Sequence, residues 1–315
     1  MSPLKKAPVH RFAHEAMATV FEIFIAGKDR GYAAQAARAA FDEIDRLERL
    51  FSRFDPSSEA SRIGRLQPGE SLAVGIETAE ILGVAAAVQA ETAGAFDINY
   101  LASVRPSRGR PRTAPRPLSQ LIRVVQTGQG FETTRLPGRA KAMAPPLELD
   151  LGAVGKGYAL DAAMARLKDW EVENVLLHAG TSTALAAGPG RGKAGRGWPV
   201  GAGAVGGSTA GPGRIILRDR ALSGSGTEVK GEHIVDPRTG RPARGHRAAW
   251  ASHPSAAAAD ALSTAFLVMT TAGVETLCGR HPEIGALVIS ARKRCKIFNA
   301  GALAGDRPAR TRRPE

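Results

Sequence analysis

The sequence is poor in the residues behind several common chemistries. Only two cysteines, Cys278 and Cys295, occur in 315 residues. They are far apart and lack a C-x-x-C spacing, so no zinc cluster or dithiol redox motif is indicated, and at most one disulfide can form. Aromatic residues make up 5% of the chain, and no basic stretch interleaves rings that could stack on bases. No segment is long and apolar enough to span a membrane, and residues 1–21 contain neither an apolar run nor a lipidation cysteine. As written, the sequence reads as cytoplasmic, with export expected only if the true N-terminus lies upstream. Acids are outnumbered, 30 against 43 basic residues, for a net charge of +13. Much of that excess is local. Residues 103–117 hold five arginines and no acid, and residues 305–315 hold four arginines against two acids. Charge placed this way marks loops rather than a nucleic-acid face, and no specific nucleic-acid partner is expected.

What the chain does contain is concentrated in LELDLGAVGKGYALD (147–161). Leu147, Leu149 and Leu151 alternate with Glu148 and Asp150 as in a half-buried strand, and Leu160, Met164 and Leu167 recur at helical spacing. Between them Gly152, Gly155 and Gly157 surround Lys156. Glycines let backbone N–H groups approach an anion, the helix start presents its positive end, and the lysine adds a point charge. A phosphate cradle and an ordinary strand-to-helix turn with a surface lysine both fit. The named phosphate motifs do not: Gly157 follows Lys156 where a P-loop needs a hydroxyl, and the glycine spacing is the reverse of a dinucleotide fingerprint.

Two further stretches carry candidate chemistry. Ser255 caps a predicted helix over 256–269, with Leu262, Phe266 and Met269 on one face and Asp260 with Thr264 on the other. A carboxylate and a hydroxyl one turn apart suit a hard cation such as Mg²⁺, which takes oxygen ligands and completes its shell with water and phosphate. They equally suit an exposed Asp and a Thr bonded back to its own helix. In GEHIVDPRTGRPA (231–243), His233 precedes the turn Asp236-Pro237-Arg238-Thr239-Gly240, where it could serve as a general base or be a packed or surface residue.

Six stretches in order resemble the motifs of the ApbE-type FAD:protein FMN transferases, the flavin transferases: EAMATVFEI (15–23), LFSRFDPSSEASRI (50–63), ETAGAFDIN (91–99), LDLGAVGKGYALD (149–161), HIVDPRTG (233–240) and ADALSTAF (259–266). The resemblance implies transfer of the FMN half of FAD to a Ser or Thr hydroxyl of an acceptor protein, with Mg²⁺ and release of AMP. It places FAD against Met17, Phe54, Ala95, Phe96, Asp97, Asp150, Lys156 and Ile234, and Mg²⁺ on the side chains of Asp260 and Thr264 and the backbone carbonyl of Ala153. His233 is the expected base or phosphate partner. Alternatives within the resemblance are hydrolysis of FAD to FMN and AMP, and a flavin-binding relative without catalysis.

The sequence departs from the family pattern at several places. Ala179-Gly180-Thr181-Ser182 stands where the family often shows Ala-Gly-Gly-Asp, so an acid is missing at Ser182. Phe54 replaces a tyrosine, Gly155 an alanine and Asn99 a threonine, and Ser223-Gly224 keeps only part of a Thr-Ser-Gly-Asp-Tyr-like segment. The implied fold is α+β, an ApbE-like (T-fold-like) mixed sheet packed with helices in a single domain. The expected bounds are 10–303, followed by a basic disordered tail at 304–315. A helix over roughly 32–51, a basic insertion at 103–117 and a glycine-rich loop region near 184–213 are also expected. No repeat at solenoid periods is visible.

Overall fold

A computed structural model describes residues 8–104, 116–128, 130–137, 147–190, 196–202, 213–226 and 234–304. The chain enters through a hairpin of β1 (Val9–Ala16) and β2 (Thr19–Ala26) and continues through α1 (Arg30–Phe51) and α2 (Glu59–Arg65). β3 (Ser71–Val74), α3 (Ile76–Glu91) and α4 (Tyr100–Val104) follow, then β4 (Ile122–Thr127) and β5 (Gly130–Arg135). Beyond them lie α5 (Gly155–Asp169), β6 (Val175–Ala179), β7 (Thr183–Ala187), β8 (Trp198–Ala202), β9 (Gly213–Leu217) and β10 (Arg220–Gly226). A short ribbon of β11 (Val235–Asp236) and β12 (Arg241–Pro242) leads to β13 (Ala248–His253), α6 (Ala256–Val268) and α7 (Thr271–Arg280). The described chain ends with β14 (Gly285–Ile289), β15 (Cys295–Phe298) and α8 (Ala300–Ala304).

Eight strands form one sheet in the order β1-β2-β6-β7-β10-β13-β14-β15, and β3-β5-β4 form a second, small sheet. This is the expected α+β single-domain architecture. Every pairing among the described strands is antiparallel, so the large sheet is not mixed in direction.

The large sheet buries both faces, and the alternation of its side chains sorts them. Phe21, Ile23 and Ile25 of β2 point to the main core, which also takes Ala36, Ile44 and Leu47 of α1, Leu160 and Leu167 of α5, and Leu262 and Phe266 of α6. Leu176, Ala184, Ala186, Leu222, Leu287 and Ile289 point to the other face, where Trp198, Val200, Ile215 and Leu217 of the β8–β9 ribbon cover them. This ribbon corrects the expected loop over 184–213. The segment contains most of β7 and all of β8, because Trp198, Val200 and Ala202 alternate inward despite the surrounding glycines.

A second correction concerns 147–151. Leu147, Leu149 and Leu151 are buried in alternation as expected, yet among the described residues the segment pairs with no strand. Its polar groups bond to the segment after α3 instead: the Asp150 N–H donates to the Ile98 carbonyl (2.7 Å) and the Glu148 N–H to the Asn99 side chain (2.7 Å). The predicted helices are present as α1 and α6, the latter capped by Ser255, whose hydroxyl accepts the Ala258 N–H at 3.2 Å. Ala304, expected to open the disordered tail, instead ends α8, and the rest of that tail and most of the basic insertion lie outside the described residues.

Candidate active site

The β1–β2 turn consists of Met17 and Ala18 alone, since Ala16 pairs with Thr19. Both turn residues have positive φ, 50° and 56°, as a two-residue hairpin loop of the favoured hand requires. Glu48 of α1 fixes this tip by accepting the Met17 N–H at 2.8 Å. The β6–β7 turn lies alongside. The Gly180 N–H donates to Val20, and a Cβ at Gly180 would come within 2.3 Å of the Thr19 hydroxyl, so only glycine fits.

Where α5 begins, its first turn meets the first turn of α6. A Cβ on Gly157 would lie 2.2 Å from the Ala256 carbonyl oxygen, so glycine is what lets the two backbones touch. Asp161 of α5 completes the junction by accepting the N–H groups of Ala256 (2.8 Å) and Ala257 (3.0 Å) and the Ser255 hydroxyl (2.7 Å). Burial pushes the Asp161 carboxyl above the ordinary aspartate range, against the pull of those three donors.

This contact delivers Asp260, only 4% exposed, to the N-terminal turn of α5. Its Oδ2 accepts the Gly157 N–H at 3.2 Å and faces the Lys156 ammonium at 3.4 Å. Its Oδ1 accepts the hydroxyls of Thr183 (3.2 Å) and Ser223 (3.1 Å), which stand opposite each other on β7 and β10. Ser263 donates to the Asp260 carbonyl at 2.9 Å. Thr264 lies 3.4 Å from that carbonyl and 3.3 Å from the Ser225 hydroxyl. Lys156 reaches back across its own turn to the Gly152 carbonyl at 2.6 Å. Ala153 sits in that turn, beside Gly152.

The other expected residues lie on neighbouring elements, with the contacts that follow. Asp150 accepts the Gly152 N–H (2.9 Å) and the Tyr100 hydroxyl (3.2 Å), and lies 3.6 Å from the Arg53 guanidinium. Arg53 stacks over the ring of Phe54, 4.5 Å from its centroid, and Phe54 is 82% exposed. An exposed ring beside a charged site offers a face to a flat heterocycle. Ala95, Phe96 and Asp97 are buried. Desolvation raises the Asp97 carboxyl to about 6, although the Asn99 N–H and the Gln89 side chain both donate to it. Ile234 packs against the core. The turn after it lies beside the Ala95–Asp97 segment, because a Cβ on Gly94 would sit 3.7 Å from the Arg238 side chain. His233, the expected base, lies outside the described residues.

Several participants escape a reading of the sequence. Thr183, Ser225 and Arg53 join the site through strand register and through the end of α1. No spacing signal marks them, because Ser223 meets Thr183 across a pairing 40 residues apart. Ser182, where an acid was missed, is hydrogen-bonded through its carbonyl to the Gly224 N–H (2.7 Å) and through its hydroxyl to the Ala179 carbonyl (3.3 Å).

The donor set decides which cation would fit. Among the described residues no group of three or more His, Cys, Asp or Glu side chains could hold a metal. What is present is one buried carboxylate, a hydroxyl one turn later and backbone carbonyls, all hard oxygen donors. Such a sparse set suits a magnesium ion that keeps water and substrate phosphate in its shell, and it does not suit zinc. The position already receives a cation, since the Lys156 ammonium stands between the Gly152 carbonyl and the Asp260 carboxylate.

Known proteins resemble this chain in sequence and in fold. The "FAD:protein FMN transferase" of Rhodobacter capsulatus is 33% identical over 134 residues, an alignment covering 39% of this chain and 24% of that protein. The chain thus spans about a quarter of the length of the curated relative it matches. Among solved structures, the flavinyl transferase ApbE of Pseudomonas stutzeri in its apo form superposes with a TM-score of 0.73 at 22% identity, covering 95% of this chain and 98% of that one. The flavin transferase ApbE of Vibrio cholerae gives 0.74 at 21% identity, covering 94% and 98%. The ApbE protein of Thermotoga maritima gives 0.72 at 24%, covering 96% and 100%. These structures share the fold. The family model for ApbE matches residues 17–288, from the hairpin tip into β14, and the chain belongs to the ApbE family.

Proposed function

We propose that this chain is an FAD:protein FMN transferase, which moves the FMN half of FAD to a Ser or Thr hydroxyl of an acceptor protein and releases AMP. The observation that carries the reading is the meeting of Lys156 and Asp260 at the paired starts of α5 and α6, where an anion-binding ammonium and a cation-binding carboxylate lie 3.4 Å apart. Pyrophosphate cleavage needs both signs of charge at one place.

In this reading Lys156 and the N-terminal turn of α5 bind the phosphates, and the exposed ring of Phe54 stacks on a flat part of FAD. Asp260 and Thr264, with the Ala153 carbonyl, would hold Mg²⁺. When bound, Mg²⁺ supplies charge neutralisation on the pyrophosphate and on the departing AMP. Thr183 and Ser223 orient the Asp260 carboxylate by donating to its inner oxygen. His233 takes the acceptor hydroxyl proton or contacts phosphate.

The test is AMP release from FAD with Mg²⁺, with and without an acceptor peptide, in the wild type and in Asp260→Ala. AMP that requires Mg²⁺, Asp260 and acceptor supports transfer, with covalent FMN mass on the peptide as its signature. AMP without acceptor dependence replaces transfer by hydrolysis. FAD binding with no AMP moves the flavin-binding reading ahead and points to the missing acid at Ser182.

A further inference from the structure

Lys156 makes two contacts that are unlike a lysine waiting for phosphate. Its Nζ lies 2.6 Å from the Gly152 carbonyl and 3.4 Å from the Asp260 carboxylate, so the ammonium faces two oxygens of the kind a divalent cation would use. Its side chain is 22% exposed, whereas that of Asp260 is 5% exposed and carries three other donors, from Gly157, Thr183 and Ser223. No other cationic side chain is paired with Asp260 among the described residues. Leaving that carboxylate buried without a cation would be costly, and the flexible lysine stem lets the charge be supplied from the neighbouring helix turn.

We propose that Lys156 is the resident counter-ion of the cation position, and that a divalent cation binds by displacing its ammonium from Asp260 and Gly152. One residue then serves two states. It neutralises Asp260 before the cation arrives, and it is freed toward solvent and anionic ligand when the cation takes its place. Binding of cation and anion becomes mutually reinforcing through the exchange, because whichever ligand draws the ammonium away, or supplants it, improves the site for the other. This rests on the cation reading of Asp260 given above.

Mn²⁺ serves as the probe, with no flavin present. If the ammonium holds the position about nine-tenths of the time, the apparent Mn²⁺ affinity of the wild type is reduced about tenfold. Lys156→Met and Lys156→Gln should therefore both bind Mn²⁺ about tenfold more tightly in titration calorimetry. A second readout uses the wild type alone: acetylation of Lys156 by an amine-reactive ester, quantified by peptide mass spectrometry, should accelerate several-fold as Mn²⁺ saturates the site, with Lys168 on the same helix as internal reference. Acceleration at Lys156 alone distinguishes displacement from a simple loss of positive charge. Mn²⁺ binding that depends on Asp260, yet is no tighter in either Lys156 variant and leaves acetylation unchanged, would overturn the exchange while sparing the cation reading. Mn²⁺ binding unaltered in Asp260→Asn, or absent from every protein, would overturn both.

Discussion

At the scale of single residues, the hairpin tip and Asp97 hold measurable strain and charge. Ala18 sits at φ 56°, where an L side chain costs about 1–2 kcal/mol, whereas a glycine there would cost about 0.4–1 kcal/mol through added freedom of the unfolded chain. The difference favours Ala18→Gly by roughly 0.5–1 kcal/mol, seen as a rise in denaturation midpoint; an unchanged or lower midpoint would show that the turn is relaxed as it stands. Met17 shares the geometry, but its side chain packs on the core and would be missed. Asp97 makes a pH-dependent contribution. Its carboxyl is raised by burial from 3.8 to about 6, so between those values the folded chain holds a proton that the unfolded chain has released. Its contribution to stability is thus most favourable below pH 4, declines as pH rises toward 6 and is level above, a difference of about 2–3 kcal/mol at most. Asp97→Asn keeps an oxygen for the Asn99 N–H and should remove that decline. Chemical denaturation of both proteins from pH 4 to 7 checks it, and parallel curves would refute the buried-carboxyl account.

At the scale of elements, the junction of α5 and α6 decides whether the candidate site exists. Gly157→Ala drives a Cβ into the Ala256 backbone at 2.2 Å, a clash with no flexible side chain to yield, and should destabilise the chain by about 1–3 kcal/mol while moving Lys156 off Asp260. Gly155→Ala, two residues earlier, meets nothing closer than the Leu151 Cβ at 3.9 Å and should be neutral or slightly stabilising. Equal effects of the two substitutions, measured by denaturant unfolding, would contradict the close approach. This junction also shows what a sequence discloses. The lysine turn, the helix carrying Asp260 and Thr264, and the ordered set of six motifs were legible because helical spacing and local turn chemistry are properties of neighbours in sequence. The hydroxyls around Asp260 were not, since Thr183 and Ser223 become partners only through the register of β7 on β10. The same limit explains the 147–151 segment. Its alternation reports burial, and burial does not tell a paired strand from an extended stretch whose N–H groups bond to Ile98 and Asn99. The β8–β9 ribbon was hidden for the opposite reason, because abundant glycine around it masks the inward alternation of Trp198, Val200 and Ala202.

At the scale of the whole molecule, the candidate site draws on both ends of the chain. The β1–β2 tip, the end of α1, the first turn of α5, the facing ends of β7 and β10, and α6 all contribute, and α6 lies more than 230 residues after the tip. No contiguous half of the sequence contains the set, so a ligand that binds there binds only the completed fold. A ligand selective for the folded state at about 100 times its Kd adds about 2.7 kcal/mol of stability. For a chain of this size that corresponds to a rise of roughly 4 °C in Tm. FAD with Mg²⁺ should therefore raise the midpoint of one cooperative transition in scanning calorimetry, and Asp260→Asn should reduce the part of the rise that depends on Mg²⁺. Two transitions with only one responding to FAD would mean that a part of the chain folds and binds without the rest, contrary to a core in which α1, α5 and α6 share one set of buried side chains.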